Sequence, residues 1–341
     1  MKRWIMILFA AVAVLGGCEH KELCYRHPHT APVTIDVEWE KFIEKERPTG
    51  MTVMIYPVGG LAAVEGIAPK KVLSNNIYKA KTDLEEGIYN SFVFNQSESE
   101  FGTLLFRNMD NYNTAEVAIN PAPTKWYTKT EEESVGYEPE WFGTDTFEGI
   151  EMTRQMILDV GTQTTFGRTI TEYDLISHSV ENIVHTVNIT VHIQNVYNLK
   201  SARAALQGMA EGYLLGKGTV NNRKITHLIE QWSLTTDEQD PTKGYITAKM
   251  LCFGLPGNYT AQPADNKFTL SLLLVDNKTQ LDVPFEVGHL FEKSGEDNLE
   301  FSITITLADP LPDVKPEGGS EGGFSASVED WGEEIRHDIN I

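Results

Sequence analysis

From Leu299 to Leu307 every second residue is a large apolar one: Leu299, Phe301, Ile303, Ile305 and Leu307, separated by Glu300, Ser302, Thr304 and Thr306. A period of two matches a strand with one face buried and one face wet, and no helix can carry it. The same pattern recurs along the chain. Val33, Ile35, Val37 and Trp39 alternate with Thr34, Asp36 and Glu38, and His185, Val187, Ile189, Val191 and Ile193 alternate with Thr186, Asn188, Thr190 and His192. Further strands are expected at Met51 to Tyr56, Gly87 to Asn95, Thr103 to Phe106, Ala115 to Ile119, Lys125 to Thr128 and Glu151 to Val160. The second half adds Leu228 to Leu234, Tyr245 to Phe253, Lys267 to Val275 and Leu281 to Val287. Many strands between turn signals predict an all-β chain of antiparallel sandwiches. The length fits two domains, placed at residues 32–165 and 180–309.

Two segments depart from this pattern. Between Leu199 and Leu215, Ala202, Leu206, Met209 and Tyr213 fall near a period of 3.6, yet Gly208 and Gly212 weaken a helix. A helix there, or a short helix to about Leu206 followed by a strand, are both open. Residues 131–148 are acidic and aromatic, with Tyr137, Trp141 and Phe142, and are expected to form a long surface loop. Such a loop is either functional or packs its own aromatics down.

The amino terminus carries an export signal. Lys2 and Arg3 precede an apolar run from Trp4 to Leu15, then Gly16, Gly17 and Cys18. A short basic start, an apolar core and small residues before a cut site describe a signal peptide over residues 1–17. The run is too short for a comfortable membrane span. Leu15-Gly16-Gly17-Cys18 resembles the bacterial lipobox. That resemblance implies that the Cys18 thiol is acylated and that the lipid holds the protein to the membrane, since several acyl chains anchor stably. Residues 18–31 are polar, lack periodicity and are expected to be the tether.

Cleavage removes two positive charges and takes the formal charge from −21 to −23. A body this acidic is not expected to bind nucleic acid or anionic lipid. Beyond Cys18 the sequence has Cys24 and Cys252. A disulfide between them and two free thiols are both open. Their spacing matches no zinc site.

Catalytic signatures are absent. Gly216-Lys217-Gly218-Thr219 lacks the phosphate-loop spacing, and there is no Gly-x-Ser-x-Gly or His-Glu-x-x-His. His27-Pro28-His29 lies in the tether. His185 and His192 are an odd number of residues apart, so on a strand they face opposite ways. Glu138, Glu140 and Asp145 beside Trp141 could build a sugar site, but a solvated loop explains them as well. The expectation is therefore no enzyme, no catalytic residues, no metal and no cofactor.

The tail is distinctive. Pro310 to Gly323 is rich in Pro, Gly and acid and is expected to be a flexible linker. Beyond it, over residues 324–341, Phe324, Ala326 and Val328 alternate, Trp331-Gly332 breaks the pattern, and Ile335, His337, Ile339 and Ile341 alternate again. This segment either docks on its own sheet or is offered to the sheet edge of a partner.

Several stretches together resemble the fimbrillin superfamily of Bacteroidales, and most closely its lipoprotein members. They are Arg47-Pro48-Thr49-Gly50-Met51-Thr52-Val53 before Tyr56-Pro57, Leu84-Glu85-Glu86-Gly87-Ile88-Tyr89 before Phe92-Val93-Phe94-Asn95, Ala205-Leu206-Gln207-Gly208-Met209-Ala210-Glu211-Gly212-Tyr213, and the segment around Trp331. The resemblance implies two tandem transthyretin-like β-sandwiches. It also implies an outer-membrane lipoprotein, surface exposed, that anchors or caps a fimbria assembled by strand addition, with other fimbrial subunits as partners and outer-membrane lipid held through acylated Cys18. A surface lipoprotein binding a glycan or host ligand is the alternative. Arg47 is the nearest candidate for a processing site after a first strand, and a plain turn arginine is the other reading.

Overall fold

The computed structural model describes residues 29–43, 46–122, 124, 126–127, 133–257, 265–294, 300–317 and 336–338. The expected signal peptide, Cys18, Cys24, His27, most of the expected tether and most of residues 318–341 lie outside the described residues.

The chain is all-β with short helices. The first half contributes β1 (Thr30–Glu38), α1 (Glu40–Ile43), β2 (Met51–Gly59), α2 (Gly60–Val64), β3 (Lys70–Ser74), β4 (Lys79–Glu85), β5 (Gly87–Asn95), β6 (Leu104–Arg107) and β7 (Glu116–Ile119). Then come β8 (Ser134–Gly136), β9 (Gly143–Met152), α3 (Arg154–Asp159), β10 (Tyr173–Ser179) and β11 (Glu181–Asn182). Two sheets, ordered β10-β1-β4 and β11-β9-β5-β2-β3, enclose the first core. The strand β10 follows the expected end of the first domain at 165, yet it returns to pair parallel with β1.

The apolar run of β2 has a simple cause. Met51, Val53 and Ile55 point into the first core, while Met54 and Tyr56 join the second. On β5, Tyr89 and Val93 face the first core while Phe92 and Phe94 face the second. A sheet covered on both sides reads as a continuous apolar run and loses its alternation.

The second half contributes β12 (His185–Gln194), β13 (Leu199–Ala210), β14 (Gly212–Leu214), β15 (Thr219–Val220), β16 (Lys224–Ile229), β17 (Ser233–Thr236), β18 (Lys243–Cys252), β19 (Lys267–Leu274), β20 (Gln280–Glu286), β21 (Glu292–Ser294), β22 (Glu300–Thr306) and β23 (Arg336–Asp338). They form sheets ordered β17-β18-β12-β22-β21 and β23-β20-β19-β13-β16-β8. A further sheet, β15-β14-β7-β6, joins the halves, because β7 pairs with β14.

The helix considered between Leu199 and Leu215 does not form. That stretch is strand throughout β13, flanked by β19 and β16 and buried along nearly its whole length. Its 3.6-like spacing is the by-product of burial on both faces. Gly208, at φ +78, makes the register shift between Leu206 and Met209. A Cβ there would sit 2.2 Å from the Asp265 carbonyl oxygen, so only glycine fits.

The long loop expected at 131–148 is also corrected. Its two ends are strands: β8 pairs with β16, and β9 runs along β5. Phe142 is fully buried against Phe94, Phe101 and Phe106. Beyond Met152 the expected strand gives way to α3, capped where Thr153 accepts from the Met156 N–H at 3.2 Å. Trp126 and Tyr127 carry no strand either.

A candidate strand-addition edge and the polar ties between sheets

The hairpin between β19 and β20 turns on Asp276 to Thr279. Asn277 takes the left-handed conformation at φ 58, and the Asp276 carboxylate accepts from the N–H groups of Lys278 and Thr279 and from the Thr279 hydroxyl. These bonds hold the Asp276 carboxyl below its usual range against the opposing effect of burial. They fix the register in which β20 leaves the turn.

The outer side of β20 is a sheet edge, and β23 lies along it in parallel, with Gln280 opposite Arg336, Leu281 opposite His337 and Asp282 opposite Asp338. Pairing reaches Asp282. Two residues on, Pro284 has no N–H to offer, which suits an edge and limits extension along it. Under this edge lies an apolar recess of about 230 Å³, lined by Leu272, Leu281, Val283, Leu307, Pro310 and Leu311 among others. Its far wall is the segment leaving β22. Residues 310–317, expected to begin a flexible linker, are held down. Leu311 donates its N–H to the Gln194 carbonyl, and its own carbonyl accepts from Asn195 Nδ2. The Glu317 N–H reaches the Val275 carbonyl at 3.2 Å.

Two polar clusters elsewhere in the fold were not legible beforehand. In the joining sheet, Glu116 and Glu211 are nearly inaccessible. Arg107 Nη2 contacts Glu211 at 3.1 Å, and Arg223 bonds both Glu116 and Glu211, with Asn221 donating to Glu116. Burial raises the Glu211 pKa, but the hydrogen bonds and charges of Arg107 and Arg223 outweigh it and leave the group lowered. In the first sandwich, His178 on β10 spans to the opposite sheet. Its Nε2 lies 3.1 Å from Ser91 Oγ, and its Nδ1 lies 3.0 Å from Asp145 Oδ2. A carboxylate oxygen accepts, so His178 Nδ1 donates to Asp145, and Ser91 Oγ also lies 3.4 Å from the Phe147 carbonyl, to which it can donate. The order of groups is that of a nucleophilic triad, but Ser91 is 0 % exposed, so its hydroxyl meets no substrate here. The cluster ties two sheets together.

The three carboxylates considered as a sugar site are separately engaged. Glu138 accepts the Leu251 N–H, Glu140 accepts the N–H groups of Gly102 and Thr103, and Asp145 accepts from His178 and the Ser179 N–H. Trp141 is partly buried, and the Tyr137 hydroxyl approaches Glu230 at 3.4 Å. His185 is buried and His192 exposed, on opposite faces of β12 as their spacing requires. Among the described residues no group of three His, Cys, Asp or Glu side chains is placed to hold a metal, and no helix is long and apolar enough to cross a membrane. Cys252 is a free, fully buried thiol, with its pKa pushed up to about 12 by burial.

Comparison with solved structures shows the fold. A "putative adhesin" from Bacteroides ovatus ATCC 8483 is 15% identical, with a TM-score of 0.53 over 87% of this chain and 99% of that one. The fimbrial anchor protein Mfa2 from Porphyromonas gingivalis is 10% identical, with a TM-score of 0.42 over 81% of this chain and 90% of that one. No curated protein sequence matches. The likeness to the Bacteroides ovatus protein is one of fold. The sequence model of one family spans residues 17–230, well over half of the chain, and the protein therefore belongs to the family described as Domain of unknown function (DUF5119).

Proposed function

We propose that this protein is a surface-exposed lipoprotein of the outer membrane, acylated at Cys18, that anchors or caps a fimbria or adhesive fibre and joins its neighbours by strand addition. The observation that carries the reading is β23 lying along the β20 edge above an apolar recess. An edge strand gains a ladder of hydrogen bonds from any added strand, and a recess beneath it accepts alternate apolar side chains. The C-terminal segment of the same chain and the equivalent segment of another subunit are chemically interchangeable occupants of such an edge. The lipobox, the acidic body and the fold shared with the Bacteroides ovatus protein support the same reading.

The glycan-binding alternative has less support. Sugar sites present aromatic faces to solvent, and in this segment Phe142 is buried and Trp141 partly buried, which leaves Tyr137 as its one exposed aromatic among the described residues.

The test is affinity purification of the intact lipoprotein from native cells in detergent, with mass spectrometry of the partners. Other fimbrial subunits should co-purify and should be lost when residues 324–341 are deleted. Labelling with palmitate should disappear in Cys18→Ser. Recovery of the lipoprotein alone, labelled but without other subunits, would overturn the strand-addition reading.

A further inference from the structure

The exposed apolar side chains of the first sandwich are unevenly placed. Phe166 is 94% exposed and Val64 84%, the highest values among the exposed large apolar residues; Val58, Leu61, Ile88 and Leu158 are open as well, while Leu73 and Tyr78 are open at the other end. The topology brings the first six to one pole. The helix α2 rests on the turn between β4 and β5: the Ala62 N–H bonds the Glu86 carbonyl at 3.1 Å, and a Cβ on Gly87 would meet Ala62 Cβ at 2.6 Å. Gly87 pairs with Met152, the last residue of β9, so α3 with Leu158 starts at this pole. The segment after α3 must come back to Tyr173, which pairs with Val33 near the start of β1.

Phe166 sits on a built hairpin. Gln163 and Thr169 form a bridge, the Thr164 N–H bonds the Arg168 carbonyl at 2.8 Å, and the Gly167 N–H bonds the Thr164 carbonyl at 2.9 Å. Gly167, at φ +74, closes the turn. The tip Thr164-Thr165-Phe166-Gly167 carries no charge, and Arg168 follows it. An aromatic tip with an adjacent arginine suits the boundary between acyl chains and headgroups.

The same pole is where the chain enters the fold. Thr30 pairs with Glu85, one residue from the carbonyl that holds α2. Residues 19–29 separate Thr30 from Cys18, a reach of at most roughly 40 Å. We propose that this pole faces the bilayer that holds the anchor, and that Phe166 and the apolar residues of α2 enter its headgroup region as a second membrane contact. The proposal rests on the acylation of Cys18. A short tether holds the pole at high local concentration over the lipid, so a contact too weak to bind alone becomes effective. Glu65, Glu85, Glu86 and Glu151 lie around α2, so the contact with the bilayer is made by apolar insertion and not by charge attraction.

The experiment uses the full acylated protein in phosphatidylcholine vesicles, with Cys24→Ser so that a new surface cysteine is labelled alone. Cys252 is buried and unreactive. Phe166→Cys and, at the opposite pole, Tyr78→Cys each receive an environment-sensitive dye. Flotation reports anchoring independently of the dye. The expected result is that both variants float, that the dye at 166 shifts to the blue and is quenched by acyl-chain quenchers, and that the dye at 78 does neither. Flotation with the dye at 166 unshifted overturns the second contact while leaving the anchor intact. A shift at 166 that appears only on addition of another subunit also overturns it and makes the pole a protein interface. Failure to float overturns the anchor reading and this proposal with it.

Discussion

Arg107 and Glu211 form an ion pair at 3.1 Å across 104 residues of sequence, linking β6 of the first half to the joint between β13 and β14 of the second. Glu211 is 4% exposed, and its removal leaves Arg107 and Arg223 sharing the single buried carboxylate of Glu116. Glu211→Ala is expected to cost about 3 kcal/mol, towards the low end for breaking a buried pair because Arg223 keeps part of its side chain in water. The carboxyl is held below its unfolded value, so its contribution is complete above the unfolded pKa and is lost as pH falls through the folded one. Denaturant unfolding should show a stability loss below pH 5 that is smaller in the variant than in the parent, the remainder coming from other acid-sensitive groups such as His227.

His227 supplies a second acid-sensitive element in a separate window. Burial lowers its pKa from 6.5 to about 4, against a weaker opposing effect of the Tyr137 backbone. The unfolded chain therefore takes up the proton first, and stability declines as pH falls from about 6.5 to about 4. The full loss is about 3 kcal/mol. Melting temperatures of His227→Leu and the parent should converge above pH 7 and separate near pH 5, with the variant the more stable there.

Pro284 blunts the outer side of β20. Pro284→Val restores a backbone N–H within a strand that pairs with β19 along its length. A longer pairable edge favours added strands. The variant should self-associate more than the parent, as measured by sedimentation velocity across a concentration series. An unchanged sedimentation coefficient would show that the proline does not guard the edge.

Cys252 should be inert in the native state. A thiol with its pKa pushed up to about 12 is almost wholly protonated at neutral pH, and the thiolate is the reactive form. Labelling by a maleimide should therefore follow global unfolding, rising steeply at the denaturant midpoint and staying slow below it.

The strand grammar was readable because half-buried strands advertise themselves. Val187, Ile189, Val191 and Ile193 of β12 and Phe301, Ile303 and Ile305 of β22 are all buried as their alternation requires. The reading failed where both faces are covered. Buried on both sides, β13 lost the period of two and borrowed a helical one. Residues 131–148 looked solvated because of their acids, yet Glu138 and Glu140 face backbone N–H groups and Phe142 is buried, while Tyr137 stays exposed. The ties at Ser91, His178 and Asp145 and at Arg107, Glu116, Glu211 and Arg223 depend on strand pairings far apart in sequence. One signal was available: in a chain with 28 basic and 49 acidic residues, an arginine near apolar strands is scarce enough to suggest a specific carboxylate partner.

The placement of β1 bears on how the protein responds to load. It lies inside its sheet, with β10 parallel on one side and β4 antiparallel on the other. Under the proposed anchoring through Cys18, a pull from the membrane arrives at Thr30 and runs along the strand axis. It therefore strains both ladders simultaneously and cannot peel them open one bond at a time. Resistance to such a pull is governed by the unfolding rate, not by equilibrium stability. A strand clamped on both sides gives a tethered surface protein a slow path to detachment under flow.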